Sequence, residues 1–424
     1  MIYENDHDPK KKILIIGSGG REHALAWRLR KEGAEIFVTP GNAGLFEDGF
    51  KDANIDSEIF DLVVSFTKSK KIDLVIIGPE KPLVLGLGNR LRKEGILVIG
   101  PNKDAAQLEA SKSFAKKIMH QAGIPSAPFR AFSDYNDARV YLDELYRNTD
   151  EDSPVVIKAD GLAGGKGVVL PSNLDEAQTF LRQFMQEGLF GESSKRIVIE
   201  ERLEGNELSF ICLCSSEHFI SLPTSRDYKR LKNGDLGPNT GGMGARVPSP
   251  DEKEETRTWI EETVLRPLFR ELKKEGITYT GFLYVGLMLT QSGMKVLEFN
   301  VRLGDPETQA LMVGIEEKLL PYLFLCAKGQ IKKDVQLTTK ETACLVLTSQ
   351  YYGEGEVRKG DVIVGLENVD SKMFFAGVKK EKGLFYTEGG RVLSICSTGE
   401  GCMDRCLEEA KKISWKGMHY RTDL

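Results

Sequence analysis

VVIKADGLAGGKGVVL, Val155 to Leu170, sets the architecture of the chain. Two β-branched apolar runs, Val155–Ile157 and Val168–Leu170, flank a loop carrying Gly161, Gly164, Gly165 and Gly167. The pattern predicts a strand, a long glycine loop and a second strand. A Walker loop or a dinucleotide fingerprint would instead pass from a strand into a helix. Glycines let backbone N–H groups close on a polyphosphate and adopt left-handed backbone where the loop needs it. Lys158, at the end of the first strand, and Lys166, inside the loop, add positive charge for the same anion. An ordinary surface hairpin requires neither the glycines nor the lysines, so the stretch reads as a phosphate-binding hairpin.

Downstream, RIVIEERLEGNELSFICLC reads as two strands interrupted at Glu201–Gly205. Exposed backbone at such a kink can read an adenine edge, and a carboxylate such as Glu207 can hold ribose hydroxyls. SRDYKRLKNGDLGPNTGGMGA follows, a long polar segment with Asp227, Lys229 and Arg230 and then Gly241, Gly242 and Gly244. Long segments without periodicity inside compact domains are usually functional, so an active-site loop is expected here. GFLYVGLMLTQSGMKVLEFNVRLGDPETQ, Gly281 to Gln309, gives two strands joined near Ser292-Gly293. Alternate residues of a strand share a face, which puts Glu298, Asn300 and Arg302 together. A carboxylate and an amide oxygen suit Mg²⁺, which keeps its other positions for water and phosphate. An arginine beside them can stabilise a transferring phosphoryl group. Asp305 and Glu307 lie close by in sequence.

Upstream, Ala106–Pro125 reads as one helix ending at Gly123, with Lys112, Lys116 and Lys117 on what is ordinarily a solvated face. The helix Asn136–Leu145, an acidic linker (TDEDSP) and, behind the hairpin, the helix Leu174–Glu187 complete this region. The first hundred residues alternate buried-type strands with helical stretches, the pattern of an open parallel α/β domain. Ligands of such sheets bind beyond the carboxyl ends of the strands. Three strand ends there carry polar or glycine-rich loops: Gly17–His23, Pro40–Gly44 with Asn42, and Gly78–Pro82 with Glu80. Gly19 and Gly20 precede a helix start near Arg21, a natural anion site. Arg21, Glu22 and His23 are candidates for substrate contact, although His23 can equally be a helix-capping or surface histidine. A dinucleotide is disfavoured, because Glu22 stands where the third glycine belongs and the second strand ends in Thr-Pro-Gly with no acidic ribose ligand.

The chain has 424 residues, enough for about three domains. Its 58 basic and 63 acidic residues give a net charge of −5 without long like-charge runs, which disfavours nucleic acid and membrane surfaces. The polar start MIYENDHDPKKK and the lack of an apolar run of about 18 residues predict neither a signal region nor a membrane span. Seven scattered cysteines fit reduced thiols of a cytoplasmic protein better than a zinc or disulfide framework. From about Lys332 onward, short strands and a final helix, Gly401–Ile413, form an α+β module with no evident chemical motif.

In order along the chain, GSGGREHA, PGNAG, GPEKPLV, ASKSFAK, VVIKADGLAGGKGV, DYKR with GPNTGGMGA, TGFLYVGLM, EFNVRLGDPETQ and GGRVL resemble the phosphoribosylamine–glycine ligase family of the ATP-grasp superfamily. The resemblance covers Ile13 to Arg421 and implies an N-terminal α/β substrate domain (1–110), an ATP-grasp domain (111–330, with a mobile glycine-rich lid lobe at about 130–195) and a small C-terminal α+β domain (331–424). It further implies that Lys112 and Lys158 contact ATP phosphates beneath Gly164, Gly165, Lys166 and Gly167. Glu200, Glu201 and Leu203 would meet adenine and Glu207 the ribose. Glu298 and Asn300 would hold Mg²⁺ or Mn²⁺, with Arg302 and Lys158 catalytic. Phosphoribosylamine and glycine would fall to Gly19, Gly20, Arg21, Glu22, His23, Asn42, Glu80, Asp227, Lys229, Arg230 and Asp305.

Gly286 stands where the D-alanine ligases have a further metal carboxylate, so a lean metal site is expected. The C-terminal stretch departs from the family: a Gly-Gly-Tyr-Pro pattern becomes Ser349-Gln350-Tyr351-Tyr352, and His-Ala-Gly-Thr becomes Phe375-Ala376-Gly377-Val378. The expected activity is ATP-dependent ligation of glycine to 5-phospho-β-D-ribosylamine through glycyl phosphate, in purine biosynthesis, with transient contact to the enzyme supplying the unstable amine. Another ATP-grasp carboxylate–amine ligase and a non-catalytic nucleotide-binding regulator are the alternatives.

Overall fold

Ile13, Leu14, Ile15 and Ile16 have no exposed surface, because the strand Lys12–Gly17 is covered on both faces. Leu14 and Ile16 pack into one apolar core, Ile13 and Ile15 into another. A strand buried on both faces reads as an unbroken apolar run, as this one does. The computed structural model describes residues 10–148, 155–164 and 167–424. Gly165, Lys166, the acidic linker and most of MIYENDHDPKKK therefore lie outside the described residues.

Lys12–Gly17 is central to a five-stranded sheet in the order Lys51–Asp52, Glu35–Pro40, Lys12–Gly17, Leu74–Ile77, Val98–Ile99. All its pairings are parallel. The helix Gly20–Lys31 leaves the carboxyl end of the central strand, so Gly19–His23 stand at the sheet's ligand-facing edge.

The glycine hairpin is there as read. Val155–Ala159 pairs antiparallel with Val168–Val169, Lys158 opposite Val168, in a four-stranded sheet with Ile197–Glu201 and Phe129–Phe132. Helices Tyr135–Arg147 and Leu174–Met185 cover its back through Ala138, Leu142, Ala177, Leu181 and Phe184. This lobe thus has an apolar core of its own. Facing it is a second sheet built on Asn206–Ser215, Thr280–Thr290 and Gly293–Asn300.

Two expectations are corrected. Ala106–Pro125 is two helices, Gln107–Ala110 and Lys112–Gln121, broken at Ser111 (φ −137°, ψ 111°). Ser111 caps the second helix by accepting from the Phe114 N–H at 3.1 Å. Asp160 locks the break, taking the Ser113 N–H at 2.6 Å and the Ser111 hydroxyl at 3.2 Å. A serine able to satisfy free helix N–H groups ends one helix and starts the next. The polar segment after Ser225 is likewise not structureless. Arg230–Lys232 and Leu236–Asn239 form a hairpin around Asn233–Asp235. Arg226–Asp227 and Gly244–Val247 join the sheet of Thr342–Thr348, Arg391–Thr398 and Lys372–Phe375. Leu231 is the only buried residue of its two strands, so the hairpin carries no apolar alternation to announce it.

All seven cysteines are free and buried, and Cys212 and Cys214 share a strand face with their sulfurs 3.3 Å apart. No helix among the described residues is long and apolar enough to cross a membrane.

Candidate active site

A cavity of about 350 Å³ lies beneath the glycine hairpin, bordered by Lys112, Lys116, Lys158, Glu200, Glu298, Asn300, Arg302, Arg21, Glu80, Asp305 and Arg391. Gly164, at φ +57°, and Gly167 form part of its roof. Its floor at one end is an ion triad. The Glu200 carboxylate lies 2.9 Å from the ammoniums of both Lys158 and Lys116, all three nearly buried. Burial tends to raise the Glu200 carboxyl, but Lys158 and Lys116 hold it below its usual range. Burial lowers Lys116 and Lys112, each also repelled by Lys158. Two lysines share one carboxylate and a third stands beside them, so a polyanion entering here relieves cationic repulsion.

This arrangement modifies two expectations. Lys116 is 2% exposed and belongs to no solvated face. Glu200 turns its carboxylate to the lysines, while Glu201, whose N–H donates to the Pro128 carbonyl at 3.0 Å, is exposed and Leu203 half-buried in the connection that follows.

On the facing sheet Glu298, Asn300 and Arg302 come together as alternation predicts. Asn300 Nδ2 lies 3.4 Å from Glu298 Oε1, and Arg302 donates to Asn300 Oδ1 at 3.3 Å. Burial raises the Glu298 carboxyl, but Lys229, Lys158 and Lys112 outweigh it and keep the group ionised. Gly286 pairs directly with Glu298, so the position opposite offers no third carboxylate. Among the described residues, no group of three or more histidine, cysteine or acidic side chains is placed to hold a metal. Glu298 offers a carboxylate oxygen and Asn300 an amide oxygen that here faces Arg302; the two donor types suit a hard cation that draws its remaining oxygens from phosphate and water. Arg302 is fixed by Glu109 at 3.0 Å and faces Glu80 at 3.6 Å. Burial disfavours its charge, but Glu109 and Glu80 more than compensate and hold it protonated.

At the opposite end the first domain contributes unevenly. Arg21 borders the cavity, donating to Glu22 at 2.6 Å and to the Leu303 carbonyl at 3.0 Å. Glu22 lies behind it as a brace, accepting the Gly19 N–H at 2.8 Å. A Cβ at Gly17 or Gly78 would collide with the Glu22 side chain at 2.5 and 2.0 Å, which explains the glycine at both strand ends. Gly20 opens the helix with its Cα against Gln309. Asn42 is buried and bonded to the Ser18 and Phe375 carbonyls at 2.7 and 2.9 Å. His23 is neither a cap nor at the surface. Its Nε2 pairs with Asp48 at 3.0 Å, and its Nδ1 accepts the Phe375 N–H at 3.1 Å, which joins the first domain to the last.

Asp305 is held ionised: burial raises it, and Arg391 and Arg21 pull it down further. Asp227 is the reverse case. Burial and then Glu307 push its carboxyl far up, and its Oδ1 has no hydrogen-bond partner among the described residues. Lys229 pairs with Glu207; burial disfavours its charge, but Glu207, Tyr284, Glu298 and Asp227 together outweigh that and keep the lysine charged. Arg230 donates to the Gly237 carbonyl at 2.7 Å within the exposed hairpin and does not border the cavity.

Three charged cavity residues were not among the candidates: Lys116, Glu109 and Arg391. Glu109 and Lys116 gave no local signal, since their partners Arg302 and Glu200 are distant in sequence. Arg391 sits in the GGRVL stretch of a region expected to carry no chemistry. In fact it reaches the cavity, donating to the Asp305 carbonyl at 2.7 Å.

A glycine-loop sheet over a lysine-walled cavity, faced by a sheet bearing an acid and an amide, defines an ATP-grasp protein. The biotin carboxylase domain of Hydrogenobacter thermophilus 2-oxoglutarate carboxylase has this fold at a TM-score of 0.71 and 15% identity, covering 97% of this chain and 92% of that one. The chain belongs to the phosphoribosylglycinamide synthetase family, whose N domain matches residues 11–109, ATP-grasp domain 110–308 and C domain 342–424. It is 42% identical to phosphoribosylamine–glycine ligase of Pseudomonas aeruginosa over 423 residues, 97% of each chain. The crystal structure of phosphoribosylamine–glycine ligase from Thermotoga maritima superposes with a TM-score of 0.85 at 35% identity, covering 97% of this chain and 99% of that one.

Proposed function

We propose that this chain is an ATP-dependent ligase that joins glycine to 5-phospho-β-D-ribosylamine, giving glycinamide ribonucleotide, ADP and phosphate. The observation that carries the reading is the charge division of the cavity. Lys112, Lys116 and Lys158 crowd one end, and Arg21, at the start of the first helix, is the cation that the first domain brings to the cavity. Two phosphorylated substrates in one cavity repel unless each anion has its own cations.

A carboxylate is a poor acyl donor. Its oxygen takes the γ-phosphoryl group to give glycyl phosphate, the amine attacks the acyl carbon, and phosphate leaves. Such transfer asks the protein chiefly for positioning and charge neutralisation. Lys112 and Lys158, with Gly164 and Gly167 above them, take the ATP phosphates, and the sequence assigns Gly165 and Lys166 to the same ligand. The connection Glu200–Leu203 takes the adenine, and Glu207 takes the ribose on release from Lys229. Glu298 and Asn300 hold Mg²⁺ or Mn²⁺, which, when bound, neutralises phosphate charge. Arg302 orients Asn300 through its Oδ1 and adds fixed positive charge beside it. Gly19, Gly20, Arg21, Glu80 and Asp305 receive the phosphoribosyl part, with Glu22, His23 and Asn42 supporting them from behind. Asp227 and Lys229 lie where glycine and the amine meet. Closure of the hairpin keeps water from the acyl phosphate.

A cytoplasmic location fits the seven unpaired cysteines, and transient contact with the producer of the amine fits that compound's instability in water. The test supplies Mg-ATP, glycine, and ribose 5-phosphate with ammonia to form the amine in situ, and seeks glycinamide ribonucleotide by mass spectrometry. Appearance of that product supports the reading, and its absence from an active preparation that hydrolyses ATP would defeat it.

A further inference from the structure

Gly241 is exposed at the cavity's edge, yet both of its backbone polar groups are held by side chains of the C-terminal domain. Its N–H donates to the Tyr352 hydroxyl at 2.9 Å, and its carbonyl accepts from Arg391. The Tyr352 ring lies on Gly390, where a Cβ would meet it at 2.4 Å, so the same tyrosine seats the residue before Arg391. Arg391 goes on to the Asp305 carbonyl at 2.7 Å and the Asp305 carboxylate at 3.3 Å. Beyond Gly241, Gly242 at φ +109° passes so close to Asp227 Oδ1 and Pro306 that a Cβ would sit 2.6 and 2.4 Å from them. Tyr352 does not itself border the cavity.

We propose that Tyr352 is a positioning residue: a latch from the C-terminal domain that, with Arg391, fixes the Gly241 peptide and through it the Asp227–Asp305 end of the cavity. The lysine end is untouched by this chain of contacts, so loosening the latch disturbs the end where phosphoribosylamine and glycine meet and spares the ATP end. The kinetic part of the inference rests on the function proposed above.

Tyr352→Phe removes the hydroxyl and keeps the ring over Gly390. It should raise the KM for phosphoribosylamine about fivefold, leaving the KM for ATP within about twofold, as expected for loss of ground-state positioning at one end of the cavity. Hydrogen exchange should show the Gly241 amide speeding up several-fold, with the unfolding midpoint unchanged. Unaltered kinetics for all three substrates would overturn the proposal, as would a uniform fall in activity together with a lower unfolding midpoint, the mark of a merely structural residue. Unaltered Gly241 exchange would overturn it regardless of kinetics. If the wild-type protein formed no glycinamide ribonucleotide, the functional reading would fail while the exchange measurement still judged the latch.

Discussion

The two ends of the cavity differ in how they hold charge. At the lysine end, cations outnumber the carboxylate they share, and burial disfavours the charge on Lys112 and Lys116. At the far end, each arginine is already matched: Arg391 with Asp305, Arg302 with Glu109, Arg21 with Glu22. Asp227, lacking a cation of its own, is driven towards its neutral form. One end is built to receive the polyphosphate as a bulk charge; the other, with Arg21 at its border, is built to seat a single phosphate and to place small groups by directed hydrogen bonds. The difference matches a phosphoryl donor whose charge must be neutralised and an amine whose orientation must be set.

The largest effect should come from the lysine end. Lys158→Ala should lower turnover by about two to three orders of magnitude, the usual loss for one preorganised electrostatic group. It also leaves Glu200 with Lys116 alone, so a smaller loss in a folded variant would mean that the triad, and not the ligand, is what Lys158 serves. Next comes the facing sheet. Glu298→Gln should shift the Mg²⁺ midpoint of activity upward by at least about tenfold, since even indirect ligands of a metal are worth that much. Asn300→Ala should shift it less, a neutral oxygen contributing less to a hard cation. Unmoved midpoints in both would place the metal elsewhere. At the far end, Arg21→Ala should raise the KM for phosphoribosylamine about tenfold, in keeping with one charge-assisted hydrogen bond. A selective rise in the KM for ATP would erase the distinction between the ends.

The smallest effect lies outside both ends. His23 is buried neutral: burial lowers it, and the Asp48 contact does not outweigh that. Its Nδ1 must stay unprotonated to accept the Phe375 N–H. An unfolded chain therefore binds a proton at this residue below the ordinary value of 6.5 that the folded chain refuses. Stability is present above that pH and lost as pH falls below it. Asp48, held at about 2 against burial by His23 and Lys372, adds a loss in the same direction below its ordinary 3.8. Thermal melts should show the unfolding midpoint falling between about pH 7.5 and 5.5, and His23→Asn should flatten that fall while costing about 1–3 kcal/mol for the disturbed buried bonds. An equally steep fall in the variant would remove His23 from the account.

The sequence made legible whatever depends on local pattern. The hairpin Val155–Val169, the doubly buried Lys12–Gly17 strand and the Glu298–Asn300–Arg302 face follow from period two and glycine content, and all are in place. Contacts between remote segments were not legible. Nothing near Lys116 marks it as buried against Glu200, and nothing near Ser111 shows that Asp160 will break the helix there. The Arg230 hairpin escaped because a single buried residue, Leu231, makes no apolar alternation. His23 offered a motif but not its orientation, which Asp48 and Phe375 fix from other elements.

The most direct test of the central claim is ADP release with Mg-ATP, glycine, and ribose 5-phosphate plus ammonia, leaving out one component at a time. A two-ended ligase predicts rapid release with all of them and near-background release without glycine or without the amine. Full-rate ADP release lacking either one would contradict it, because the cavity would then be splitting ATP without joining anything.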